Sequence, residues 1–214
     1  MLSVQTGAVH LMGYLFAVLA AYLLGCSNMA YYVGKLNKVD LTKAGSGNLG
    51  ASNTATLLGW GAGVLVGAHD IGKAALAVFF AQILLPELPF VGAAAGVACV
   101  MGHIFPFYLK FKGGKGLASF IGMSLILNWQ VTLVALVLLV LITVVTQYIA
   151  LGTLAVSATV PVGIAIVTQS LWVPLILLTA TVVIFCKHTD NIVRIRNGTE
   201  IKLLSTVKGE NLVK

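Results

Sequence analysis

Residues 131–149 read VTLVALVLLVLITVVTQYI, 19 residues without a single charge. A helix of about 20 apolar residues crosses the hydrocarbon of a bilayer, so this stretch takes the chain out of the soluble class. Further apolar runs cover Ala8–Leu24, Ala74–Leu85, Phe90–Phe107, Leu117–Leu127, Leu151–Val167 and Leu171–Cys186. Of 214 residues, 59% are hydrophobic and 9% charged, with a mean hydropathy of +1.01, whereas soluble domains carry about 25% charged residues. The expected fold is all-α: a polytopic membrane protein forming a single integral-membrane domain over residues 1–214. Runs too short to span upright must extend into polar flanks, tilt, thin the bilayer or pack inside the bundle.

Charge gives the topology. The 13 Lys and Arg fall into clusters: Lys35, Lys38 and Lys43; Lys73; Lys110, Lys112 and Lys115; then Lys187, Arg194, Arg196, Lys202, Lys208 and Lys214. Short cytoplasmic loops collect positive charge, so an even number of crossings must separate successive clusters. Spans near 74–86 and 90–109, then four between Leu117 and Cys186, meet that demand. With the first helix this gives seven, an N-terminus outside, a cytoplasmic C-terminus and a cytoplasmic tail over residues 199–214. The Gly-rich segment Thr54–Ala68 is then expected to be short or re-entrant, with both ends near the cytoplasmic face. The opening residues, MLSVQTGAVH, lack a basic n-region, so the first span is expected to remain uncleaved. Cys26, Cys99 and Cys186 are isolated in or beside apolar runs, which suits reduced, packed side chains. The net charge of +7 does not argue for nucleic acid, because no basic soluble domain is present to make the contacts. No internal repeat stands out.

Three polar clusters fall on one face by this topology. The first, Gly45-Ser46-Gly47-Asn48-Leu49-Gly50-Ala51-Ser52-Asn53, combines three glycines with hydrogen-bonding side chains. Such a loop can aim several backbone N–H groups at an anion; an ordinary turn would need fewer of either. The second, Phe111-Lys112-Gly113-Gly114-Lys115-Gly116, places a flexible ammonium among glycines, which suits phosphate, although the Walker A spacing is absent. Gly102-His103 and Pro106 precede it, and His103 reads as a packed histidine. The third, Lys187-His188-Thr189-Asp190-Asn191-Ile192-Val193-Arg194, closes with Gly198-Thr199-Glu200. If the last helix continues through it, His188, Asn191 and Arg194 lie near one face and could position a hydroxyl and a phosphate; a solvated basic helix end explains them equally well. Glu200 reads as structural, paired with a lysine or capping amides. Asp70 and Lys73, at i and i+3, can pair within the bundle, since either charge alone at the midplane costs about 2.5–3.5 kcal/mol. No Cys/His/Asp set has metal-ligand spacing and no nucleophile elbow appears, so neither metal nor cofactor is expected.

Together these motifs resemble the acyl-phosphate:glycerol-3-phosphate acyltransferase family of bacteria, PlsY. That family carries G-S-G-N-x-G-A-T-N-x-x-R, then G-H-x-F-P…F-K-G-G-K-G-x-A, then H-x-x-N-I-x-R…G-T-E. This chain has GSGNLGASN at 45–53, GHIFP at 102–106, FKGGKGLA at 111–118, HTDNIVR at 188–194 and GTE at 198–200. The resemblance implies acyl transfer from acyl phosphate to the 1-hydroxyl of glycerol 3-phosphate, giving lysophosphatidic acid, at the cytoplasmic face of a bacterial inner membrane. It also implies roles: Ser46, Lys115, His188 and Asn191 in catalysis; Gly45, Gly47, Asn48, Gly50, Asn53, Gly113, Gly114 and Gly116 around phosphate, with Lys73 and Arg194 as further cations; Glu200 holding the fold. Membrane lipid is an implied partner, and the enzyme that makes acyl phosphate a candidate one. Departures are local: the family's arginines fall on Thr42 and Thr56, and its first-helix S-x-P appears as Cys26-Ser27-Asn28. The residues also admit a relative with another acceptor, or one that binds or moves phospholipid without turnover.

Overall fold

The structure, a computed structural model, describes residues 2–203, with side chains from Gly7 onward. Lys208, Lys214 and the rest of the expected tail beyond residue 203 lie outside the described residues. Among those described there is no strand, and the helices are α1 (Leu2–Cys26), α2 (Met29–Leu36), α3 (Ala51–Leu58), α4 (Trp60–Leu84), α5 (Val91–Ile104), α6 (Leu117–Leu127), α7 (Trp129–Thr146), α8 (Ile149–Thr168), α9 (Trp172–Lys187) and α10 (Thr189–Arg196). A 3-10 turn, Phe107–Leu109, follows α5.

Among the described residues, five helical segments are long and apolar enough to cross a membrane: Gly7–Leu36, Trp60–Leu84, Val91–Leu109, Trp129–Thr146 and Ile149–Thr168. The pair α9 and α10, bent by 43° at its break, makes a sixth if taken as one broken span. Helix α6 is apolar but has 11 residues, a rise of about 16 Å. Local chemistry sets the breaks. Asn28 Oδ1 accepts from Tyr31 N at 2.9 Å and restarts the chain as α2, while Asn128 does the same for α7 through Val131 N at 2.9 Å, both as N-caps.

The Thr54–Ala68 segment folds back on itself: a Cβ on Gly63 would stand 2.5 Å from Ala55 Cβ, and one on Gly67 3.6 Å from Ala51 Cβ, so its two ends lie side by side. Gly59 (φ +89) separates the short α3 from α4, and α4 then runs without interruption through Asp70 and Lys73 for 25 residues. The span expected near 74–86 therefore begins 14 residues earlier. The two charges do not end the helix because they satisfy each other inside the bundle, Lys73 Nζ lying 2.7 Å from Asp70 Oδ1.

The packing is that of a membrane bundle. Leu133, Val134, Val137, Val140 and Leu141 of α7 are exposed, as are Phe79, Phe80, Ile83 and Leu84 of α4, a surface suited to lipid. Inside, small residues let backbones touch, as in membrane helix pairs generally. A Cβ on Gly25 of α1 would stand 2.1 Å from Cys99 O of α5, and one on Gly102 2.1 Å from Tyr22 O. A hydrogen bond from Thr181 Oγ1 to Ser157 O (2.7 Å) ties α9 to α8. This close crossing gathers the start of α3, the end of α5, the start of α6 and the α9–α10 bend around one cavity.

Candidate functional site

That cavity, about 610 Å³, is where the three sequence-distant clusters meet. Its first wall is the 45–50 loop. Gly45 (φ +59) and Gly47 (φ +69) hold left-handed backbone that disfavours other residues. Buried Asn53 bolts the loop to α3: its Oδ1 accepts from Ser46 N at 2.8 Å, and its Nδ2 donates to Leu41 O and Ala44 O at 3.1 and 3.2 Å. Asn53 thus braces the loop with both ends of its amide, while Ser46, Asn48, Gly50 and Ser52 line the cavity. Gly50 starts α3 without a side-chain cap, and Gly116 (φ +97) starts α6 the same way. Both helix starts line the cavity, and uncapped N-termini offer N–H groups and positive dipole ends to an anion.

The second loop is used differently. Gly113 N donates to Ile104 O (3.0 Å) and Gly114 N to His103 O (3.1 Å), so these two amides, expected to cradle phosphate, are spent on the end of α5. The glycines are needed for approach: a Cβ on Gly113 would stand 2.0 Å from His103 O, and one on Gly114 2.1 Å from His103 Nε2. Of this loop, Lys115 and Gly116 reach the cavity.

The third cluster closes the site. His188 sits at the bend between α9 and α10 rather than within one continuous helix. Its Nδ1 lies 2.8 Å from Ile184 O; a carbonyl only accepts, so Nδ1 carries the proton and Nε2 keeps its lone pair. Lys115 Nζ donates to Asn191 Oδ1, Asn191 Nδ2 donates to Glu200 Oε1 at 2.5 Å, and Arg194 Nε donates to Glu200 Oε2 at 2.6 Å. Glu200 therefore pairs with an arginine, not a lysine, and Arg194, held through Nε, does not line the cavity. Burial, reinforced by the Arg194 charge, pushes the Lys115 ammonium below the usual lysine range, since both disfavour the charged form.

Beneath the cavity lies a buried charge network. Lys73 Nζ contacts Asp70 Oδ1 (2.7 Å), Ser27 O (2.7 Å) and His103 Nδ1 (3.0 Å). Lys73 is thus buried among polar partners and does not line the cavity. His103 Nδ1 also lies 3.3 Å from Asp70 Oδ1, so lysine, carboxylate and imidazole form one buried cluster. Asp70 and His103 line the cavity, and His103 is also the packed, hydrogen-bonded histidine expected from its context. The signal that could have found them is the presence of ionisable residues within an apolar span, which marks a functional interior. Among the described residues no group of three His, Cys, Asp or Glu side chains could hold a metal ion.

The sequence model of glycerol-3-phosphate acyltransferase matches residues 15–198, which takes in all three clusters apart from Thr199 and Glu200. The chain belongs to the glycerol-3-phosphate acyltransferase family. A member from Thermoanaerobacter pseudethanolicus is 39% identical over 88% of this chain and 96% of its own; glycerol-3-phosphate acyltransferase 1 of Oceanobacillus iheyensis is 33% identical over 91% and 97%. Among solved structures, the crystal structure of PlsY (YgiH), an integral membrane glycerol 3-phosphate acyltransferase, in its glycerol 3-phosphate form superposes with a TM-score of 0.84 at 30% identity, covering 88% of this chain and 94% of the other. Its lysophosphatidic acid form gives 0.83 at 29%, over 91% and 98%. This acyltransferase is thus an all-helical, multi-pass membrane protein. Its departures from the family motif have distinct places: Thr56 lines the cavity with its hydroxyl donated to Ser52 O at 3.0 Å, whereas Thr42 bonds Asp40 at 2.6 Å, outside the cavity.

Proposed function

We propose that this protein transfers an acyl group from acyl phosphate to the 1-hydroxyl of glycerol 3-phosphate, releasing inorganic phosphate and lysophosphatidic acid. The observation that carries the reading is the meeting of Lys115, two uncapped helix starts and the His188–Asn191 pair in one cavity, in a chain that aligns along most of its length with a relative solved in glycerol 3-phosphate and lysophosphatidic acid forms. The hydroxyl oxygen attacks the acyl carbon, a new C–O ester bond forms, and the bond from acyl carbon to phosphate oxygen breaks. The hydroxyl proton ends on the departing phosphate, so no strong base is needed. His188 Nε2, its lone pair fixed by the Ile184 bond, orients that hydroxyl. Lys115, held by Asn191, and the starts of α3 and α6 stabilise phosphate charge, and the rate comes chiefly from orientation and preset dipoles. Ser46 contributes a hydroxyl contact at the mouth.

The same reading places the site at the cytoplasmic face of a bacterial inner membrane, with seven crossings in which α6 is the short one and α9 with α10 the bent one. The N-terminus is then outside and residues beyond 199 inside, where the enzyme making acyl phosphate can deliver it. Thr56 favours a second reading, an enzyme with another phosphorylated or hydroxylated acceptor, because threonine cannot replace a bidentate guanidinium. The test is purified protein with palmitoyl phosphate and glycerol 3-phosphate, quantifying lysophosphatidic acid against Ser46→Ala. Product that disappears in the control supports the assignment. Folded wild type that consumes palmitoyl phosphate only with a different acceptor supports the second reading, and no consumption with any acceptor overturns both.

A further inference from the structure

A second concavity of about 700 Å³ lies outside the catalytic cavity and is rimmed by lysines. Lys35, Lys38, Lys43, Lys110 and Lys112 line it, with Asp40 the acid among them. Asp40 is taken: Lys43 Nζ lies 3.5 Å away, and Thr42 N and Oγ1 both donate to Oδ1. The other four lysines, exposed, make no ion pair within the described structure. Topology alone asks only that lysines lie on this side of the membrane. It does not ask that three separate segments, the end of α2, the 38–43 turn and the 110–112 loop, bring them to one rim.

What borders the rim identifies the occupant. Tyr31 lines the concavity and begins a run of edge-to-face rings, Tyr32 and Tyr108 on Tyr31 at 5.9 and 6.1 Å and Phe107 on Tyr108 at 5.6 Å. Beside it Leu36 is 82% exposed, Phe107 54% and Phe111 58%. Aromatic and aliphatic side chains exposed next to lysines at the end of a spanning segment are the composition of a bilayer interface, where each lysine near an anionic surface adds attraction. A soluble anion would use the lysines and leave the rings without purpose. A phospholipid uses both.

We infer that this concavity binds the headgroup of an anionic phospholipid from the surrounding bilayer, its phosphate among the lysines and its chains along the aromatic run. The site shares a wall with the catalytic cavity. Leu41, Thr42, Lys43 and Leu49 face this side and Gly45, Ser46 and Asn48 the other, so a bound headgroup steadies the segment that carries Ser46.

The test uses the full chain in phosphatidylcholine nanodiscs containing spin-labelled phosphatidylglycerol, with the immobilised lipid fraction read by electron paramagnetic resonance. Wild type is expected to retain the anionic label roughly tenfold better than labelled phosphatidylcholine, and Lys35→Gln/Lys38→Gln/Lys110→Gln/Lys112→Gln to lose that preference. The matching fourfold arginine variant, which keeps charge and topology, is expected to retain it. Equal retention of the two lipids by wild type, full retention by a folded glutamine variant, loss of preference in the arginine variant, or displacement of the label by millimolar inorganic phosphate would each overturn the proposal. The readout is lipid binding, so it is independent of whether the acyl-transfer reading stands.

Discussion

The two glycine loops, 45–50 and 113–116, look alike on paper and are used in opposite ways. Both are rich in glycine, both precede a helix, and both read as phosphate cradles. In the first, glycines adopt left-handed backbone and the loop's polar groups line the cavity, steadied from behind by Asn53. In the second, Gly113 and Gly114 are glycine because α5 passes so near, and their amides bond its last carbonyls. One loop spends its freedom on a ligand site. The other spends it on packing, and so delivers one lysine to a fixed place.

The contrast is easiest to break at Gly114. Gly114→Ala puts a methyl 2.1 Å from His103 Nε2 and 2.8 Å from Leu49 O, against a ring that Lys73 holds from behind. Overpacking of this kind costs about 1–3 kcal/mol or more, and the expected outcome is a large fall in Tm with little folded enzyme recovered. A thermal scan showing a wild-type Tm would mean that the second loop is free after all.

Lys115→Gln comes next. It should fold, with kcat/KM reduced about 10²–10³-fold, the usual cost of removing one preset donor to developing charge; steady-state kinetics on the folded variant measures it. The same lysine gives a pH signature. Its pKa is lowered by burial and by Arg194, so the free enzyme loses the cation at a pH below the ordinary lysine range. On the alkaline side kcat/KM should fall before kcat does, because bound phosphate favours the protonated form. A pH–rate profile in which both fall together, only where an ordinary lysine titrates, would remove Lys115 from the phosphate site.

Thr56→Arg sharpens the comparison from the ligand side. A guanidinium on that cavity wall should lower KM for glycerol 3-phosphate about tenfold, the effect of one charge-assisted hydrogen bond worth ~1.5 kcal/mol. An unchanged KM measured across a substrate titration would show that the phosphate does not visit this wall. The smallest effect is expected at Gly47→Ala. Its Cβ meets only Thr42 O, at 3.1 Å, so the penalty is the left-handed backbone, about 1–2 kcal/mol, appearing as a shift of a few degrees in Tm and a several-fold rise in KM.

Much of this could be read without coordinates. The span Leu117–Leu127 agrees with α6 to the residue, and the motifs that meet at the cavity are those the sequence marks. Misreadings share a cause. The Gly-rich 54–68 segment folds back at Gly59 as a short element, yet its second half is already the start of α4, which continues because Asp70 and Lys73 find each other and His103 inside. Lys73 and Arg194 are expected near phosphate, yet neither lines the cavity and each is engaged by a carboxylate, the Asp70–Lys73 pair as its i, i+3 spacing suggests.

Composition by itself determined that the chain is a membrane bundle, because the hydrophobic effect is summed over whole segments and needs no knowledge of neighbours. Motif order by itself determined the family. Which glycine serves a ligand and which serves a helix crossing, and which cation faces the cavity, only the tertiary structure decided. A donor's use depends on whether another part of the chain has already taken its hydrogen bond, and that is a property of three-dimensional contact.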